Sequence, residues 1–146
     1  SMKLGAMLGG ATDGCSDILY QFGKSMGLAF QMKDDYLDAF GDSAKTGKQI
    51  GGDILSNKKT YLLSKAFEIA DSTQREALLQ LLQRNDDAKV TDTVSYFEKL
   101  HIKELLEQEI QAYTNKAYEL LEKVPVISKR KVHLNELAKM LLNRES

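Results

Sequence analysis

Cysteine is almost absent from this sequence: Cys15 stands alone, so no intramolecular disulfide framework can form. With only His101 and His133 beside it, it also leaves too few soft ligands for a structural zinc site. Proline occurs once, at Pro125, and no glycine follows Gly52. Long apolar runs are missing as well, the longest falling far short of the ~20 residues a membrane-spanning helix needs. No charged start followed by an apolar block marks a signal peptide, and the sequence reads as cytoplasmic, without a membrane span. An excess of one charge is the last absence. Twenty basic residues face 21 acidic ones for a net charge of −1, so no global field draws the chain onto nucleic acid or an acidic membrane.

What is present is a soluble, globular composition of 146 residues, 42% hydrophobic and 28% charged, enough for one domain with a real core. Leucine far outnumbers valine, which favours helix over strand and predicts an all-α helical bundle. Beyond Asn57 the pattern predicts amphipathic helices near 57–70, 73–84, 91–100, 102–123 and 129–143. Ser72-Thr73 and Ser128 are candidate N-caps, Asn85-Asp86-Asp87 is a polar interruption, and Val124-Pro125 stops the helix before it. Short links predict antiparallel neighbours and a single helical domain over residues 1–146. Glycines 5, 9, 10, 23 and 27 recur in segments that otherwise look helical, which calls for close approach of either a helix or a ligand.

The segment Lys24 to Asp42, KSMGLAFQMKDDYLDAFGD, carries the most chemistry. At ~100° per residue, Lys24, Gly27, Gln31, Asp34, Asp35 and Asp38 share about one third of the helix surface. Phe22, Met26, Ala29, Tyr36 and Phe40 gather opposite, with Lys33 among them. Asp34 and Asp38 repel each other one turn apart, and no basic residue stands at i+4 of any of the three acids. Such a stripe invites a counter-cation, and oxygen-only ligands suit Mg²⁺, which commonly shares its shell with substrate phosphates. A solvated acidic turn is the plainer alternative.

A hydrophilic connection, SAKTGKQIGGDILS, then leads to Asn57-Lys58-Lys59-Thr60 and a new helix. Lysines 45, 48, 58 and 59 therefore follow closely on the acids, and lysine at a helix start is suited to phosphate. Gly41 to Gln49 is not a P-loop, because the spacing, the residue after Lys48 and the preceding helix are all wrong for one.

The strings GLAFQMKDDYLDAFGD and TGKQIGGDILSNKKTYLL resemble the second aspartate-rich region of the trans-isoprenyl diphosphate synthases, the farnesyl, geranylgeranyl and longer polyprenyl synthase family. KLGAMLGGAT, Lys3 to Thr12, is similar to the helix that precedes this region in the family. The resemblance implies the all-α terpenoid synthase fold and a prenyltransferase that joins an allylic diphosphate to isopentenyl diphosphate and releases pyrophosphate. It implies Mg²⁺ as cofactor, with Asp34, Asp35 and Asp38 as metal ligands and Asp34 the most direct. Lys48 and Lys58 match diphosphate-binding lysines. Phe30-Gln31 matches a pair in which the glutamine positions the allylic substrate and stabilises developing positive charge. The family is usually homodimeric. Its first DDxxD motif does not occur here, so the chain resembles the C-terminal portion of a longer synthase, expected to be inactive alone. A non-catalytic helical subunit of the same fold is the alternative from another class. A terpene cyclase piece fits less well, because cyclases mix Asn, Ser or Thr into their second metal motif.

Overall fold

The computed structural model describes residues 1–41 and 50–142. Among them the regular structure is entirely helical: α1 (Met2–Leu8), α2 (Asp13–Phe40), α3 (Gly52–Leu55), α4 (Tyr61–Ile69), α5 (Ser72–Gln83), α6 (Lys89–Lys99), α7 (Ile102–Glu122) and α8 (Ser128–Leu142). The all-α expectation holds. No helix among the described residues is long and apolar enough to cross a membrane.

The acidic segment is the C-terminal part of one 28-residue helix, α2. Its buried side is set by Phe22, Ser25, Met26, Ala29, Met32 and Ala39, spaced at three, four and seven residues as a 3.6-residue period requires. Lys24, Gly27, Gln31 and Asp34 lie exposed on the other side. Tyr36 and Phe40, expected on the apolar back, are only half-buried. Their rings meet at a tilt with centroids 5.3 Å apart, and Lys33 lies 5.5 Å over the Tyr36 ring, a cation–π contact that accounts for a lysine among apolar neighbours.

Two compact units partition the chain. One comprises Ser1–Gln31 and the described residues from Glu109 on. Its core is Phe22, Met26, Ala117, Leu121, Val124 and Ala138. Gly23 serves close packing here, since a Cβ on it would lie 2.8 Å from the Met2 side chain, whereas Gly27 faces open space. The buried Lys131 spans from α8 to the end of α7, donating to the Glu122 carbonyl at 2.8 Å and so satisfying a terminal acceptor.

The other unit comprises Met32–Gln108. Ile54, Leu62, Ala66, Leu78, Phe97, Ile102 and Leu106 are buried within it, and α6 packs against α3 and α5. Three sequence expectations are corrected by the structure. The helix expected from residue 57 starts at Tyr61, because Asn57 takes the left-handed conformation (φ 51°) and Thr60 accepts from the Leu63 N–H as N-cap. The cap of α5 is Asp71 and not Ser72-Thr73, for the Asp71 carboxylate and the Gln74 side chain form a reciprocal capping box. Likewise Ser128 is the first residue of α8 and does not precede it.

Candidate functional site

The three acids near the C-terminal end of α2, Asp34, Asp35 and Asp38, meet different surroundings. The Asp34 side chain is exposed and, among the described residues, makes no hydrogen bond. Asp35 and Asp38 are half-buried. Each gives one oxygen to a backbone N–H: Asp35 Oδ2 accepts from Tyr61 at 2.9 Å, and Asp38 Oδ2 accepts from Asp53 at 3.0 Å. Those donors stand in the first turns of α4 and α3, where N–H groups lack partners inside the helix. The acids therefore dock the starts of two later helices against α2.

Local backbone geometry makes this docking possible. Gly51 adopts φ 78° and donates its N–H to the Asp38 carbonyl at 2.7 Å. A Cβ there would fall 2.3 Å from Val90 Cγ1, so only glycine fits both the left-handed turn and the approach of α6.

Lys58 follows in the connection between α3 and α4. Its Nζ pairs with Asp53 Oδ2 at 2.6 Å, and its ammonium also feels Asp35 and Asp34. The hydrogen bond and charge of Asp53 raise the Lys58 pKa above its usual value. A positive charge thus stands near the α2 acids from the connection between α3 and α4, while its ion pair is with Asp53.

Burial dominates the titration of the two half-buried acids. Desolvation raises Asp35 and Asp38 above the ordinary carboxylate range, against the opposing effects of the backbone N–H bonds and Lys58. Tyr36 is pushed up to about 12 by burial and by its 2.6 Å hydrogen bond to Glu107.

The structure thus gathers Asp34, Asp35, Asp38 and Lys58 in one place. Gln31 is exposed one turn before Asp35 on the same helix, and Phe30 beside it is half-buried. Lys48 lies outside the described residues, as does Lys45. Sequence reasoning passed over Asp53, which links Asp38 to Lys58. The signal available for it was an acid following Gly51-Gly52 at the start of a short helical turn.

The donor set fits a shared Mg²⁺ ion more closely than a closed metal cage. Among the described residues no group of three or more Asp, Glu, His or Cys side chains is disposed to hold a metal by itself. Asp34 is open, and Asp35 and Asp38 each keep lone pairs free of the backbone bond. Mg²⁺ commonly takes one or two carboxylates and completes its shell with water and substrate phosphate. Cys15 is half-buried and free, and His101, between α6 and α7, and His133, within α8, are exposed and have no part in this cluster.

The sequence model of a family described as polyprenyl synthetase matches residues 1–100. The short chain isoprenyl diphosphate synthase of Methanothermobacter thermautotrophicus is 34% identical over 143 residues, covering 98% of this chain and 44% of that protein. The crystal structure of geranylgeranyl pyrophosphate synthetase from Pyrococcus horikoshii superposes with a TM-score of 0.82 at 30% identity, over 93% of this chain and 42% of its own. A geranylgeranyl pyrophosphate synthase from Corynebacterium glutamicum, complexed with isoprenyl diphosphate and magnesium, gives 0.81 at 29% identity, over 97% and 41%. The chain spans less than half the length of each of these relatives.

Proposed function

We propose a function from one premise: the chain belongs to the polyprenyl synthetase family and its helices are part of the all-α terpenoid synthase fold. The protein that contains it is a trans-prenyltransferase, joining an allylic diphosphate to isopentenyl diphosphate. The allylic C–O bond breaks, pyrophosphate leaves with the electron pair, the alkene of isopentenyl diphosphate forms the new C–C bond, and a proton is lost. Residues 1–146 contribute one wall of that site, as the C-terminal portion of the synthase. Where the complete protein works as a dimer, this portion is one part of each protomer.

The observation that carries this reading is the gathering of three acids from one helical stripe with Lys58 from the following turn. Asp34 would hold Mg²⁺ directly, and Asp35 and Asp38 would support it through their remaining lone pairs. Magnesium supplies neutralisation of the charge that grows on the departing pyrophosphate. Lys58 grips the diphosphate from the other side as a point charge, and Lys48 shares that task. The exposed Gln31 presents its amide oxygen to the positive charge left on the allylic fragment. Phe30 adds apolar surface against water.

The test is calorimetric titration of pyrophosphate, with Mg²⁺ present, into the purified chain. Asp34→Asn should weaken binding by about tenfold or more, corresponding to ~1.4 kcal/mol or above. Equal affinity for parent and variant would remove the acidic stripe from the site.

A further inference from the structure

Lys89 opens α6 and is only 1% exposed. Two penalties attach to that placement. An ammonium withdrawn from water is costly unless its donors are well matched, and a cation in a first turn faces the positive end of the helix dipole. Lysine normally escapes by extending its stem and leaving the amine in water. Here the amine instead turns inward and donates to Asn57 Oδ1 at 2.9 Å.

Asn57 is the hinge of the segment that delivers Lys58. It holds a left-handed φ of 51°, and its N–H returns to the Ile54 carbonyl at 3.1 Å to close α3. Immediately after it, the Lys58 N–H donates to the Asp53 carbonyl at 2.9 Å while Lys58 Nζ pairs with the Asp53 carboxylate. Three residues further on, the Tyr61 N–H reaches Asp35. From Asp53 to Tyr61 the backbone is thus tied to the aspartates at both ends and secured from beneath, at Asn57, by the amine of Lys89.

We propose that Lys89 is a positioning residue for the diphosphate site, acting through Asn57 to hold Lys58 against the aspartates of α2. The inference rests on the reading of Lys58 as a diphosphate ligand. A lysine retained for stability alone has little reason to be here, since a buried charge replaced by an apolar side chain of similar volume is often neutral or stabilising. Asn57 is itself exposed, so water can satisfy its amide once the amine is gone.

Four forms of the chain decide the matter: parent, Lys89→Met, Asn57→Gly and the double variant. Glycine keeps the left-handed turn but removes Oδ1. Each single variant should weaken magnesium-dependent pyrophosphate binding about five- to tenfold, and the double variant no further, because both break one link. Lys89→Met should melt no lower than the parent, while the amides of Lys58 and Tyr61 exchange faster in the ligand-free chain. A Lys89→Met variant that loses melting temperature but binds within twofold of the parent has lost a structural residue only, which overturns the inference. Additive losses in the double variant overturn the route through Asn57. If the parent binds no pyrophosphate, the diphosphate reading itself fails, and unchanged amide exchange in Lys89→Met would separately refute the positioning of Lys58.

Discussion

Asp35 and Asp38 stand half out of water with one oxygen each on a backbone N–H, and the lost hydration outweighs those bonds. A carboxyl whose pKa is raised on folding binds its proton more tightly in the folded chain than in the unfolded one. Each group therefore costs stability as pH rises through the carboxylate range, and the cost is complete above the folded pKa. Asparagine removes the charge but keeps an oxygen for Tyr61 or Asp53. Asp35→Asn and Asp38→Asn should accordingly melt at or above the parent near neutral pH, and this advantage should vanish in acid, where the parent carboxyls are already protonated. The same variants should bind magnesium pyrophosphate about tenfold more weakly. Melting curves across pH, set beside calorimetry, check both halves. A lower melting temperature near neutral pH would mean that attraction to Lys58 outweighs desolvation. Acids kept at a cost to the fold are what a binding site built for a cation requires.

At the scale of elements, the turn through Gly51 joins α2, α3 and α6. Alanine at this position would hold a left-handed φ and drive its methyl into Val90. Gly51→Ala should destabilise the chain by roughly 2 kcal/mol or more in urea unfolding. Adding Val90→Ala should recover only the steric part, since the φ penalty stays. Full recovery would show that the backbone conformation carries no strain. From α4 onward the helices were legible to within about two residues at most boundaries, because leucine periodicity and the breaks at Asn85-Asp86-Asp87 and Pro125 are local signals, whereas the short α3 lies within a stretch that reads as a connection. The start of α4 was not legible. It depends on Asn57, whose side chain Lys89 meets, and on the docking of Tyr61 onto Asp35, contacts remote in sequence. Asp53 was missed for the same reason: its partner Asp38 lies 15 positions away.

For the molecule as a whole, the stripe of acids and the lysines that follow it were readable from the residues alone, whereas the Asp53 contact that holds Lys58 beside the stripe needed the fold. One consequence concerns catalysis by this polypeptide. An allylic cation survives only where water is excluded, yet Gln31, Asp34 and Gly27 line a face of α2 that is open to solvent. The sequence contains a single DDxxD string, so on the proposed reading the diphosphate would be gripped by carboxylates from one side only. Residues 1–146 should therefore bind magnesium pyrophosphate measurably while incorporating no labelled isopentenyl diphosphate into an allylic primer. Binding should fall when Asp34 or Lys58 is neutralised, and the absence of product should not depend on those changes. Chain elongation by the purified 146-residue polypeptide would contradict this. It would mean that the open face of α2 closes in solution, through a second copy or through the bound substrate, and that one acidic stripe is sufficient for ionisation.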